Sequence, residues 1–179
     1  MFQSNKLLAL PYILCFLALA LSSLVIAQPK SVAKKAEYVV TKGGQSSLIT
    51  IWFSTDKIAF SEEGSSKVAL WRLWQTQPPS FYQAYPEVGY RIEFDRLASQ
   101  STKKVLEQLK SVVNDGDFKD AFVIDGKQFK LSSLENGWVV EEHMNQWNDY
   151  KTYDYADIGD NEADPVLGKL IKQGFIQGL

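Results

Sequence analysis

Residues 47–53 read Ser-Leu-Ile-Thr-Ile-Trp-Phe, and this run of β-branched and aromatic residues predicts a β-strand. A second run, Lys-Val-Ala-Leu-Trp-Arg-Leu-Trp-Gln-Thr at 67–76, gives the strongest strand prediction of the chain. Successive side chains of a strand point to opposite faces of the sheet. In the first run the isoleucines would share one face, and Leu48 and Trp52 the other. Both runs are apolar on both faces, so we expect both faces of this part of the sheet to be covered. The cover is either ordinary packing, against helices or by curling of the sheet on itself, or helices that leave an apolar cavity.

Further strands are predicted around these two runs, because short β-type segments alternate with turn residues such as Gly43-Gly44 and Pro78-Pro79. Short turns between consecutive strands are typical of an antiparallel meander. The six strands predicted for this block are Glu37–Thr41, Ser47–Phe53, Lys57–Ser61, Lys67–Thr76, Ser80–Tyr85 and Gly89–Phe94.

The second half of the chain begins with an amphipathic helix, predicted from Thr102 to Val113 because apolar residues recur there at helical spacing. Asp125-Gly126 then forms the two-residue turn of a β-hairpin. Further strands are predicted from Gly137 to Glu142 and from Trp147 to Tyr155. The second β block therefore extends the sheet beyond the helix.

A terminal helix is predicted from Asp164, a suitable N-cap, and Pro165, which fits the first helical position. The predicted fold class is mainly β (α+β), with a curved, half-barrel-like antiparallel sheet, one inserted helix and a C-terminal helix. We assign residues 36–179 to a single globular domain, preceded by a short polar leader at 28–35.

The first 27 residues have the pattern of an export signal. Lys6 precedes an apolar run from Leu7 to Leu24, and Val25-Ile26-Ala27 provides the residues that a signal peptidase recognises. Cleavage would place the protein in the periplasm of a Gram-negative source, or otherwise outside the cell. The alternative is an uncleaved membrane anchor, because the 21 residues from Leu7 to Ala27 are long enough to span a bilayer.

Composition excludes several kinds of chemistry. Cys15 is the only cysteine and lies in the signal, so the exported chain would have no disulfides, cysteine nucleophile or cysteine-ligated metal. The chain has 19 basic and 21 acidic residues, and no basic run of five or more. A nucleic-acid partner is therefore not expected. No cofactor is predicted.

His143 is the only histidine, so histidine-dependent catalysis would have to use it beside Glu141 and Glu142. No serine stands in a Gly-x-Ser-x-Gly motif. We predict no catalytic residue and no metal ligand, and favour a protein without enzymatic activity.

Eight acidic residues lie between 141 and 164. Carboxylates can supply the oxygen ligands of calcium, but the order of an EF-hand loop is absent, so a solvated acidic segment is the alternative. Trp147, Tyr150 and Tyr153 lie beside these acids. The alternative function is therefore a protein or glycan interaction module that uses the acidic aromatic segment 147–164.

The order of elements resembles that of the LolA/LolB-like periplasmic carriers of outer-membrane lipoproteins. The resemblance is architectural, covers about residues 36–140 and includes no motif of the family residue for residue. It implies a half-barrel that encloses an apolar cavity under helices. The segments that carry it are Leu48–Phe53, Lys57–Phe60, Val68–Trp74 and Phe81–Tyr85, followed by the inserted helix.

We therefore expect an exported envelope protein that binds an apolar or lipidated ligand between sheet and helices. The predicted cavity walls are Leu48, Trp52, Trp71 and Leu73, or the opposite faces of the same strands. The expected partners are a lipid, a lipoprotein or an envelope protein. Membrane contact is expected only through an uncleaved N-terminal segment.

Overall fold

The computed structural model describes residues 33–76, 78–94, 100–114, 116–161 and 163–172. The predicted export signal and most of the polar leader lie outside these ranges. The described chain is mainly β, and its main element is a nine-stranded sheet that does not close into a barrel. This confirms the predicted fold class.

Eleven strands are formed within the described ranges. Nine of them make the main sheet in the order β11-β6-β5-β4-β3-β2-β1-β10-β9, and β7 and β8 form a separate pair. The strands are β1 (Lys34–Lys42), β2 (Gln45–Phe53), β3 (Lys57–Glu62), β4 (Val68–Arg72), β5 (Ser80–Tyr85), β6 (Tyr90–Glu93), β7 (Val113–Asn114), β8 (Asp117–Phe118), β9 (Ala121–Ile124), β10 (Lys127–Asn136) and β11 (Lys151–Asp154).

Strands β1 to β6 pair in chain order, each antiparallel to the next, so the predicted six-stranded meander is confirmed. The hairpin of β9 and β10 joins the sheet on the free side of β1. At the other edge β11 pairs in parallel with β6, which makes the sheet mixed. The sequence did not predict this parallel pair.

Within the described ranges, three α-helices pack on the sheet: α1 (Gln100–Val112), α2 (Trp138–Gln146) and α3 (Pro165–Lys172). A 3₁₀ helix (Tyr155–Asn161) precedes α3. None of the helices in the described ranges is long and apolar enough to cross a membrane.

One face of the sheet, which we call the α1 face, is covered by α1 and α3. Leu106 and Leu109 of α1 and Leu167 of α3 are buried in the same cluster as Ile51 and Trp71 of the sheet. The predicted amphipathic face of α1 thus packs as expected.

The opposite face, which we call the α2 face, carries a second core. Val140 and Met144 of α2, with Trp147 just after it, pack against Trp52 and Leu70 of the sheet. The expectation that both faces are covered is therefore confirmed. The covering helix, α2, was not predicted, because the sequence predicted a strand over its first residues.

The strand predicted from Gly137 to Glu142 is wrong, because this segment begins α2. Val140, Met144 and Trp147 are spaced by four and three residues, which places them on one side of a helix. Gly137 has φ 107°, a backbone conformation that favours glycine, and it separates β10 from the helix.

The strongest predicted strand, 67–76, is shorter in the structure. It ends at Arg72, since Leu73 adopts φ 49° and is 52% exposed. The backbone N–H of Leu73 donates to the carbonyl oxygen of Asp56 at 2.7 Å. This turn directs the chain away from the sheet before β5 begins.

Candidate functional site

An apolar cavity of about 300 Å³ lies between α1 and the α1 face of the sheet. This volume equals about ten water molecules at about 30 Å³ each. Its walls come from β1, β2, β3, β9, β10 and α1. The apolar lining residues are Val40, Ile49, Ile51, Phe60, Val105, Leu109, Val112, Phe122, Ile124 and Phe129.

The polar part of the lining lies at the protein surface. Ser47, Glu62, Ser101 and Asp125 are exposed, whereas Gln108 and Lys127 are half-buried. The arrangement is an apolar interior with polar groups at its rim, as in many sites for small apolar ligands.

The strand register explains why these side chains meet. Directly opposite residues of antiparallel strands point to the same face. Val40 lies opposite Phe129 of β10, and Ile51 lies opposite Phe60 of β3. The Phe129 ring stacks on Phe122 at 4.5 Å between centroids, which fixes the β9–β10 wall.

A polar contact joins α1 to the β9–β10 turn at the rim. The Asp125 carboxylate accepts hydrogen bonds from Lys104 Nζ at 2.8 Å and Gln108 Nε2 at 3.2 Å. These hydrogen bonds and the charge of Lys104 hold the pKa of Asp125 below its ordinary value. The contact holds α1 beside the β9–β10 turn at one side of the cavity. Its contribution to stability is small, because exposed ion pairs contribute little.

The structure does not bring together the four residues predicted as cavity walls. Trp52 is buried on the α2 face, and Trp71 on the α1 face. Leu48 is half-buried near the end of β2, and Leu73 is exposed beyond β4. None of the four lines the cavity. Its β2 residues come from the opposite face of that strand, which the prediction had named as the alternative.

The reason is the pairing of neighbouring strands. Trp71 lies opposite Ile58, and Ile58 lies opposite Phe53. Trp71 therefore shares a face with Phe53 and Ile51, not with Trp52. Alternation within one strand cannot reveal which face of the next strand it matches.

The cavity walls that come from the second half of the chain were not predicted from the sequence. The signals were present, since Phe122 and Ile124 fall on one face of the first predicted hairpin strand, and Phe129 lies between Gln128 and Lys130 in the second. Val105 and Leu109 already belonged to the predicted helix face. The missing information was that this hairpin joins β1 and lies opposite α1.

His143 packs as an aromatic residue. Its ring stacks on Trp52 with a centroid distance of 6.1 Å and meets the edge of Trp147 at 5.4 Å. Partial burial, with a contribution from the charge of Lys35, lowers its pKa. Within the part of the chain that the structure describes, the imidazole makes no hydrogen bond to a serine or a carboxylate.

The aromatic residues of the acidic segment do not form an exposed platform. Trp147 is completely buried on the α2 face, and Tyr150 packs against the same cluster. Tyr153 instead packs on the α1 face and stacks on Tyr90 at 5.8 Å. This arrangement gives no support to the aromatic basis of the alternative interaction module.

Asp164 confirms the predicted N-cap of the terminal helix. Its Oδ1 accepts hydrogen bonds from the backbone N–H groups of Val166 and Leu167, at 2.9 and 3.1 Å. Its other oxygen accepts from Tyr153 Oη at 2.6 Å and Lys151 Nζ at 2.8 Å. Asp164 thus ties α3 to β11, and its carboxylate is already engaged within the protein.

No group of three or more histidine, cysteine, aspartate or glutamate side chains could hold a metal ion in the described ranges. Asp157 and Asp160 lie exposed in the 3₁₀ helix. Glu162, another acid of the segment, lies outside the described residues.

We expect Asp164→Asn to lower the melting temperature by about 2–6 °C at pH 7. The hydrogen bonds from Lys151 and Tyr153 hold the pKa of Asp164 well below 3.8 in the folded protein. Its charge therefore stabilises the fold above the unfolded pKa, and this contribution is lost as pH falls through the folded pKa. Thermal melts at pH 7 and pH 3 check both parts, since the difference from the native protein should shrink in acid.

Asp160→Asn is the matched control, because Asp160 is an exposed acid of the same segment. An equal shift for both variants would contradict the specific role of Asp164.

Comparison with known proteins adds no relative. Neither the protein-family models nor the curated proteins gave a match to this chain.

Proposed function

We propose that this protein is a non-enzymatic exported envelope protein that binds an apolar or lipidated ligand in the cavity under α1. The observation that carries the proposal is the lining, in which ten apolar side chains surround about 300 Å³ and the polar groups are confined to the rim. Such a cavity excludes charged or strongly hydrated ligands from its interior.

The expected driving force is the removal of apolar surface from water. Each methylene group buried contributes about 0.8 kcal/mol before the cost of association. A methylene group occupies about as much space as a water molecule, so the cavity volume suits a single acyl chain of about ten carbons. A bulky ligand with several chains would require the cavity to widen.

Two further features support the proposal. The N-terminal sequence predicts export, which would place the binding site in the envelope or outside the cell. The resemblance to LolA/LolB-like carriers implies an apolar cavity between an incomplete barrel and helices, and an open sheet covered by helices is compatible with that architecture.

The direct test is a titration of the purified exported protein with the neutral fluorescent probe N-phenyl-1-naphthylamine. We expect saturable enhancement of its fluorescence with a micromolar dissociation constant, and displacement by single-chain lipids. Native mass spectrometry with lipid extraction on the same preparation should detect a bound acyl compound. Absence of saturable probe binding would overturn the proposal.

A further inference from the structure

Gln83 is a polar side chain inside the apolar core of the α1 face. It has no exposed surface and lies opposite Ala69 of β4 and Ile92 of β6. Its Oε1 accepts a hydrogen bond from Tyr85 Oη at 3.1 Å. Its Nε2, which carries two N–H donors, has no hydrogen-bond partner among the residues that the structure describes.

An unpaired buried donor carries the full cost of removal from water. A similarly shaped apolar residue would avoid this cost. The amide is therefore expected to meet an acceptor in some functional state of the protein.

A second, smaller cavity of about 120 Å³ lies in front of Gln83. The small side chain of Ala69 leaves this space open, and Phe60 and Glu62 line both this cavity and the larger one. The two spaces are thus neighbours on the α1 face, on either side of the same strand. The smaller one is about the size of a few water molecules.

A basic residue also lies at the smaller cavity. Lys67 contributes to its lining, and among the described residues the ammonium group of Lys67 has no ion-pair partner. The hydroxyl groups of Ser61 and Ser65 both donate to the Lys67 carbonyl oxygen. The hydrogen-bond donors left for a ligand are therefore the Gln83 amide and the Lys67 ammonium.

We propose that the ligand is a single-chain acyl lipid whose carbonyl group accepts a hydrogen bond from Gln83 Nε2, while its chain occupies the larger cavity. This inference rests on the proposed function and assigns the ligand class. The carbonyl oxygen belongs to either a fatty acid or an acyl ester. A free carboxylate would be attracted by Lys67 and repelled by Glu62, which lines the same cavity.

The test compares Gln83→Met with the native protein. Methionine has a similar length and no donor, so binding of N-phenyl-1-naphthylamine should be unchanged. Displacement of the probe by dodecanoic acid or methyl dodecanoate should become about tenfold weaker, as expected for one lost hydrogen bond. Gln128→Met is the matched control, because Gln128 is exposed on β10.

The variant Lys67→Gln distinguishes a fatty acid from an acyl ester as the ligand. If the ligand is a fatty acid, this variant should weaken the binding of dodecanoic acid about fivefold or more and leave the binding of the methyl ester unchanged. If the ester binds the native protein more tightly than the acid, the ligand is an acyl ester and the Gln83 assignment stands.

A measurement on the native protein makes the test independent of variant folding. Dodecanoic acid should shift the Gln83 side-chain amide signals in an ¹⁵N NMR spectrum. Unmoved signals, or equal lipid displacement in native and Gln83→Met proteins, would overturn the assignment while probe binding still supports the cavity. Failure of the native protein to bind the probe would overturn both the proposed function and the Gln83 assignment.

Discussion

Replacement of Trp71 by alanine is expected to lower the free energy of unfolding by about 3–5 kcal/mol. Trp71 is 1% exposed in the core of the α1 face. Its ring lies 5.0 Å from that of Phe81, which in turn lies 5.4 Å from Phe94. Removal of the indole would leave a large void among side chains from three adjacent parts of the sheet.

This loss would be a large fraction of the stability of a domain, since folded domains are stable by about 5–15 kcal/mol. The melting temperature should fall by about 10 °C or more. Urea unfolding followed by circular dichroism measures the change directly.

Trp138→Ala is the matched control. Trp138 is 67% exposed at the start of α2, so its removal should change stability by less than about 0.5 kcal/mol. Similar destabilisation by the two substitutions would show that the core of the α1 face is not packed as described.

The sequence predicted the meander well because its strands carry local signals. Ser80–Tyr85 was predicted with the bounds that it has in the structure, and the hairpin turn Asp125-Gly126 also lies where it was placed. Both segments are bounded by turn residues. Local sequence signals alone were sufficient to predict these two segments.

The first half of α2 shows what local chemistry does not reveal. Val139 and Val140 have high β-propensity, and they led to the prediction of a strand. In the structure Val140 and Met144 cover the sheet beside Trp52, and this tertiary contact outweighs the propensity.

The candidate site was only partly predictable for a related reason. The sequence predicted a cavity between sheet and helices, and the structure has a cavity between the sheet and α1. The wall residues depend on strand register and on which strands are neighbours, because β10 pairs with β1, which lies about 90 residues earlier in the chain. Gln83 was overlooked because a single polar residue within Phe-Tyr-Gln-Ala-Tyr resembles ordinary alternation.

Val105→Trp is expected to reduce probe binding by at least about 100-fold. Val105 is half-buried on α1 and lines the larger cavity. An indole at this position would fill space that the ligand needs, and it would replace the apolar contacts that the ligand makes. The cavity accommodates the larger ring, so the melting temperature should stay within about 3 °C of the native value, less than for overpacking of a filled core.

Val139→Trp provides the control, because it introduces the same side chain on another helix. Val139 is 58% exposed on α2, remote in the fold from the α1 face, so this variant should bind the probe like the native protein. The difference between the emission spectra of each variant and the native protein reports the position of the introduced ring, because the five native tryptophans also emit. Emission should be blue-shifted for Val105→Trp, as in an apolar site, and near that of exposed tryptophan for Val139→Trp. A folded Val105→Trp protein with native probe affinity would show that the ligand binds elsewhere, because the blocked space would then be unnecessary for binding.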